Sequence, residues 1–208
     1  TAKRMNIPLT EFRDAPDAVE AILRTLEHAE DQSVRFVATG TATTLAAVLR
    51  HPGAQRLIAR KVVFLSIMCC DFDGIEKNGE SNVIVDLPAM QLLMREWPTP
   101  VYIAPYSLGR ATPVAWDCLR TQLSADNPVQ YAYRLYYRNE PEPGDRPSWD
   151  PCAMLFALEP DADIFGISEP GTVEILPTGI SVFHPDPAGK HRILRIDAAH
   201  SAASIRPA

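Results

Sequence analysis

The stretch 61–68, Lys-Val-Val-Phe-Leu-Ser-Ile-Met, is nearly continuous apolar sequence, and it limits the fold more than any other part of the chain. A half-exposed strand would alternate apolar and polar residues. An unbroken run fits a strand covered on both faces, the condition of a parallel sheet with a helical layer on each side. The fold class expected is therefore α/β.

The flanking sequence supports a parallel sheet. Asp14-Ala15-Pro16-Asp17 reads as a helix start, because Pro is tolerated in the first turn and Asp can cap. Val19, Ile22, Leu23 and Leu26 follow at helical spacing. Strand 34–38 ends at Thr39-Gly40, a helix is expected over 43–49 with His51-Pro52-Gly53 as its stop, and a further turn or two over 54–60. After strand 61–68 comes a polar loop over 70–81, then a helix over 87–96 closed by Trp97-Pro98-Thr99-Pro100, then a strand over 101–104. Strands alternating with helices at this spacing give βαβ units with right-handed crossovers. Ligands in such sheets bind at the carboxyl ends of the strands. That rule singles out Thr39-Gly40, the loop after Met68 and the segment after Ala104.

Beyond residue 113 the reading is mainly helical, with helices over 114–123, 131–137 and 150–158 and a Pro-rich loop over 139–147. Runs 171–175 and 180–183 around Pro177-Thr178-Gly179 read as a β-hairpin, and 191–196 as a last strand. Four cysteines, at 69, 70, 118 and 152, do not make paired C-x-x-C motifs, so free and mostly buried thiols are expected rather than a zinc site. A net charge of -6 without a Lys/Arg run argues against nucleic acid as partner. No apolar stretch approaches the ~20 residues a membrane span needs, so a soluble protein without a membrane partner is expected, its compartment, cytoplasmic or periplasmic, left open by the sequence.

Three constellations could carry chemistry. Thr39-Gly40 at a strand end is ordinary punctuation, or a source of carbonyl oxygens for a hard cation. Glu80 and Asn82, two apart, would point the same way in an extended segment and could grip neighbouring sugar hydroxyls. The plainer reading is a polar loop with Asp86 capping the next helix. In Ser148-Trp149-Asp150-Pro151, Asp150 is a helix cap or a metal carboxylate, with an aromatic ring beside it.

Taken in order, V-x-T-G before a Thr-rich helix start, K-V-V-F-L, E-x-N-x-x-x-D-x-x-A and W-D-P-C-A resemble the inosine–uridine-preferring nucleoside hydrolases over about 14–183. The resemblance implies a nucleoside hydrolase-like α/β domain. Its central, mostly parallel sheet would be flanked by helices, with a helical C-terminal part and a β-hairpin. The implied activity is calcium-dependent hydrolysis of the N-glycosidic bond of ribonucleosides to base and ribose. Carried over, the main-chain oxygen of Thr39 and the carboxylate of Asp150 would bind Ca²⁺, Glu80 and Asn82 would bind ribose hydroxyls, and Leu65 would pack near the sugar. Trp149 stands where many members have His, and it resembles the purine-preferring branch, in which Trp stacks on the base. A homo-oligomer is implied too.

The family's opening D-x-D-x-x-x-D-D motif, which holds calcium and supplies the general base, has no counterpart here. Asp71-Phe72-Asp73-Gly74 follows the wrong strand, and Asp161-Ala162-Asp163 follows a helix. The expectation is one incomplete domain over 1–208, lacking the N-terminal strands and acidic motif, with no catalytic residue identified. The alternative is a non-catalytic nucleoside- or sugar-binding protein. A dinucleotide-binding oxidoreductase is disfavoured, because no G-x-G-x-x-G follows a strand.

Overall fold

The computed structural model describes residues 15–137 and 144–196. The first residues of the Pro-rich loop expected over 139–147, and Asp14, lie outside the described residues. In chain order the elements are α1 (Ala18–His28), β1 (Val34–Ala38), α2 (Thr43–Arg50), α3 (Ala54–Lys61), β2 (Val62–Met68), α4 (Ser81–Ile84) and α5 (Leu87–Glu96). They continue with β3 (Val101–Ala104), α6 (Tyr106–Ala111), β4 (Pro113–Val114), α7 (Trp116–Gln122), α8 (Pro128–Tyr136), β5 (Arg146–Pro147) and α9 (Trp149–Leu158). The last are β6 (Gly166–Ile167), β7 (Gly171–Ile175), β8 (Ser181–Pro185) and β9 (His191–Arg195).

The main sheet runs β1-β2-β3-β9-β7-β8, with β6 on β9. β1, β2, β3 and β9 are mutually parallel, whereas β7–β8, β7–β9 and β6–β9 are antiparallel. The sheet is thus mostly parallel with the expected hairpin at one side, and the last strand inserts between β3 and β7.

Side-chain alternation along β2 explains its apolar run. Leu65 and Ile67 point to one face, into a core with Leu45, Val48, Met90 and Leu93 from α2 and α5. Phe64 and Met68 point to the other, against Cys152, Ala153 and Phe156 of α9. Ser66 shares the α9 face, and its hydroxyl donates to the Ala153 carbonyl at 2.8 Å, which satisfies a fully buried polar group.

α9 runs antiparallel to β1. The Arg35 guanidinium donates to the carbonyls of Ala157 and Leu158 at the helix end, whereas Trp149 at its start reaches the Tyr106 carbonyl just past β3. The first turn of α9 therefore lies at the carboxyl end of the sheet.

Several boundaries differ from the expected ones. β2 begins at Val62, because Lys61 closes α3 and its ammonium is drawn to the Ala29 carbonyl at 2.6 Å and to Asp31 at 2.7 Å. Val114 belongs to β4, paired with Arg146, so α7 starts at Trp116. α8 starts early, at Pro128, because Asn127 caps it through the Val129 N–H at 2.9 Å. α6 was not expected at all; Pro105 and Gly109 hide it as loop sequence.

Candidate active site at the carboxyl ends of β1, β2 and β3

The loops that leave β1, β2 and β3 and the first turn of α9 gather Thr39, Glu80, Asn82, Trp149 and Asp150 at one end of the sheet. Asp86 is the cap of α5, accepting from the Ala89 N–H at 3.2 Å, and it also accepts the Thr43 hydroxyl at 2.6 Å. That second bond ties the starts of α2 and α5 together beneath the Thr39 and Glu80 loops.

Glu80 and Asn82 are not in an extended segment. Glu80 is the N-cap of α4, and Asn82 is inside that helix. Glu80 is 4% exposed, and both carboxylate oxygens accept from the Asn82 N–H at 3.0 Å. The Val83 N–H donates to the Glu80 main-chain carbonyl at 3.0 Å, and the N–H groups of Cys70 and Val83 face the carboxylate and favour its charged form. Burial nevertheless prevails over these donors and raises its pKa above the ordinary carboxylate value. The Asn82 side chain turns the other way, with Nδ2 donating to the Met68 carbonyl at 3.1 Å and lying 3.2 Å from Met68 Sδ. What brings the pair together is attachment to the end of β2, not a shared strand face.

Trp149 is half-buried, and its ring stacks on Tyr106 with centroids 5.4 Å apart and planes 22° apart. Its indole N–H donates to the Tyr106 carbonyl at 3.1 Å. The Arg146 guanidinium lies 4.1 Å from the Tyr136 ring centre and 5.7 Å from that of Trp149, a cation–π arrangement. Gly109 is obligatory beneath the indole: a Cβ there would come within 2.3 Å of Trp149 Cδ1.

Asp150 is in the first turn of α9, at the surface, while Ser148 is the N-cap and makes no side-chain capping bond. Desolvation raises the Asp150 pKa, and the charge of Arg146 opposes that rise. Thr39 is exposed at the end of β1.

Leu65 does not reach the site. It is fully buried in mid-strand, paired with Phe36 and Val101. Asp71 is structural, because its carboxylate accepts from the N–H groups of Asp73 and Glu76 at 3.1 and 2.6 Å. Tyr106 and Arg146 were missed in the sequence. The available signal for Tyr106 was an aromatic residue directly after a parallel strand.

A cavity of about 440 Å³ opens between the ends of β3 and β9, and none of Thr39, Glu80, Asn82, Trp149 and Asp150 is in its lining. It is lined by Phe72, Asp73, Pro105, Ser107, Leu108 and Arg195, among others, and its size is that of small-molecule pockets. Among the described residues no group of three or more His, Cys, Asp or Glu side chains could hold a metal ion. One carbonyl and one carboxylate fall well short of the six to eight oxygens Ca²⁺ takes, so these residues alone do not fit a calcium centre.

The fold is shared with solved nucleoside hydrolases. A plant nucleoside hydrolase superposes with a TM-score of 0.68 at 17% identity, over 93% of this chain and 67% of that one. A purine-preferring ribonucleoside hydrolase from Gardnerella vaginalis gives 0.72 at 17% identity, over 94% and 65%. An inosine–guanosine nucleoside hydrolase gives 0.70 at 18% identity, over 95% and 66%. The chain thus spans roughly two-thirds of the length of each, by the shares of 67%, 65% and 66%. Comparison with curated protein sequences returned no match. The sequence model of one family matches residues 4–198, nearly the whole chain. The chain belongs to the inosine-uridine preferring nucleoside hydrolase family.

Proposed function

We propose that the chain carries the sugar- and base-binding side of an N-ribohydrolase site, serving cleavage of ribonucleosides, purine nucleosides foremost, to base and ribose. The observation that carries this reading is the convergence of Glu80, Asn82, Trp149 and Asp150 at the carboxyl end of the parallel sheet in a chain of this family. The purine preference rests on Trp149 and on likeness to the purine-preferring enzyme.

In this proposal Glu80 accepts a ribose hydroxyl with lone pairs its backbone donors leave free, and Asn82, whose Nδ2 is held by Met68, offers its amide oxygen to the neighbouring hydroxyl. Such contacts accelerate hydrolysis when they tighten as the sugar flattens toward an oxocarbenium-like transition state. The base lies against the surface of Trp149 that Tyr106 leaves open. Calcium is the ion the family resemblance implies, with Thr39 and Asp150 as contributors; since the described residues do not complete its shell, no step is assigned to it. No general base is assigned either, and residues 1–208 are proposed to be catalytically incomplete alone. A single domain and association into homo-oligomers belong to the same proposal.

Equilibrium titration of the chain with inosine tests this reading. Saturable binding weakened about tenfold or more by Glu80→Gln is expected, because a hydrogen bond to a charged group is worth roughly 1.5–3 kcal/mol. Absence of inosine binding would contradict it. A second reading, a nucleoside-binding protein without turnover, is favoured by the lack of an acidic metal cluster among the described residues.

A further inference from the structure

Cys69 and Cys70 follow β2 directly, both fully buried, with their sulfurs 3.4 Å apart. Cys70 holds φ at 71°, in the left-handed region that non-glycine residues rarely occupy. Its N–H faces the Glu80 carboxylate, and its carbonyl accepts from the Tyr106 N–H at 2.9 Å. The pair is therefore wired to both the proposed sugar contact and the aromatic wall. All four cysteines are free.

We propose that Cys69 and Cys70 form a redox modification site, a vicinal dithiol that a hydroperoxide closes to an intramolecular disulfide and that thiols reopen. The balance is simple. One thiol attacks hydrogen peroxide to give a sulfenic acid and one water. The neighbouring thiol then displaces the sulfenic oxygen as a second water, leaving the S–S bond. The two sulfurs lose two electrons in total and the peroxide gains them. Adjacent Cα atoms stand about 3.8 Å apart, short of the roughly 4.4–6.8 Å that relaxed disulfides span, so the ring is strained and easily reduced. Burial, reinforced by Cys70 and Glu80, holds the Cys69 thiol well above its ordinary pKa, so closure is slow at neutral pH and quickens as pH rises.

Closing the ring turns the Cys69–Cys70 peptide and withdraws the Cys70 N–H from Glu80. The consequence for ligand rests on the nucleoside-binding reading; the covalent change does not. Native protein is treated with hydrogen peroxide, quenched with catalase, alkylated in denaturant and digested with trypsin, which cuts after Lys61 and Lys77 and leaves both cysteines on peptide 62–77. The expected peptide lacks two hydrogens, carries no alkyl group, and regains two alkylatable thiols after dithiothreitol; Cys69→Ser must abolish the two-hydrogen loss. A peptide that keeps two alkylatable thiols, gains only oxygen atoms, or cross-links to another cysteine overturns the proposal. Closure is expected to weaken inosine binding through Glu80; if the disulfide forms and inosine affinity stays the same, that coupling is wrong although the modification is right. If reduced protein binds no inosine, the functional reading fails and the mass result stands by itself.

Discussion

Tyr106 holds Trp149 by two contacts at once, a ring stack with centroids 5.4 Å apart and a carbonyl that takes the indole N–H at 3.1 Å. One side chain is thereby fixed by the residue that opens α6, immediately past β3. The stack is worth about 0.5–1.5 kcal/mol beyond its buried area. Tyr106→Ala removes the stack and keeps the carbonyl. The expected result is a red-shifted Trp emission and an inosine affinity reduced less than by Trp149→Ala. Equal loss of affinity in both variants would mean that Tyr106 meets the base itself.

Gly109 lets α6 and α9 approach closely, and its carbonyl accepts from the Ser148 N–H at 3.0 Å. Gly109→Ala forces a methyl into the Trp149 backbone and ring, where the nearest atoms would be 2.3 and 2.6 Å away. A loss of roughly 1–3 kcal/mol is expected from overpacking, read by urea unfolding. A stability equal to wild type would show that the helices part without cost.

His191 is 2% exposed, and its Nδ1 accepts from the Val173 N–H at 2.7 Å, so the fold holds it neutral. Burial, with Lys190 beside it, lowers its pKa to about 4. The unfolded chain binds this proton near pH 6.5 and the folded one only near 4. Its contribution to stability is therefore complete above pH 6.5, falls as pH drops through that window, and levels off below 4. The amplitude is up to ~3 kcal/mol. His191→Asn keeps a hydrogen-bond acceptor in the side chain, and it is expected to flatten this part of the stability profile measured by urea unfolding. An unchanged slope would assign it to other groups.

Leu65 marks a limit of reading by resemblance. Motif alignment places it near a sugar, but the period of β2 turns it into the core. Leu65→Ala is expected to cost about 2–5 kcal/mol by leaving a cavity, without a direct effect on inosine affinity in protein that remains folded. A large affinity loss at near-normal stability would return Leu65 to the site.

The parallel strands were legible because two-sided burial leaves an unbroken apolar run, as in β2, and because Gly and Pro punctuate the turns. The candidate residues were legible as positions that meet at one end of the sheet, but their geometry was not. Glu80 and Asn82 were expected to act together through strand alternation, whereas a capped turn of α4 holds them. Tyr106 escaped notice because its part depends on α6, a helix whose Pro and Gly disguise it. Gly109 escaped for a related reason: the need for it comes from an indole forty residues away in sequence, and no local pattern records such a contact.

The most direct test of the central claim is ribose release from inosine by residues 1–208 with saturating calcium, measured beside inosine binding in the same preparation. The account predicts saturable binding with no turnover above background, because the proposal assigns sugar and base contacts to this chain and no general base among its described residues. Calcium-dependent release over many turnovers would contradict it and would mean that a carboxylate within these residues takes the proton from water.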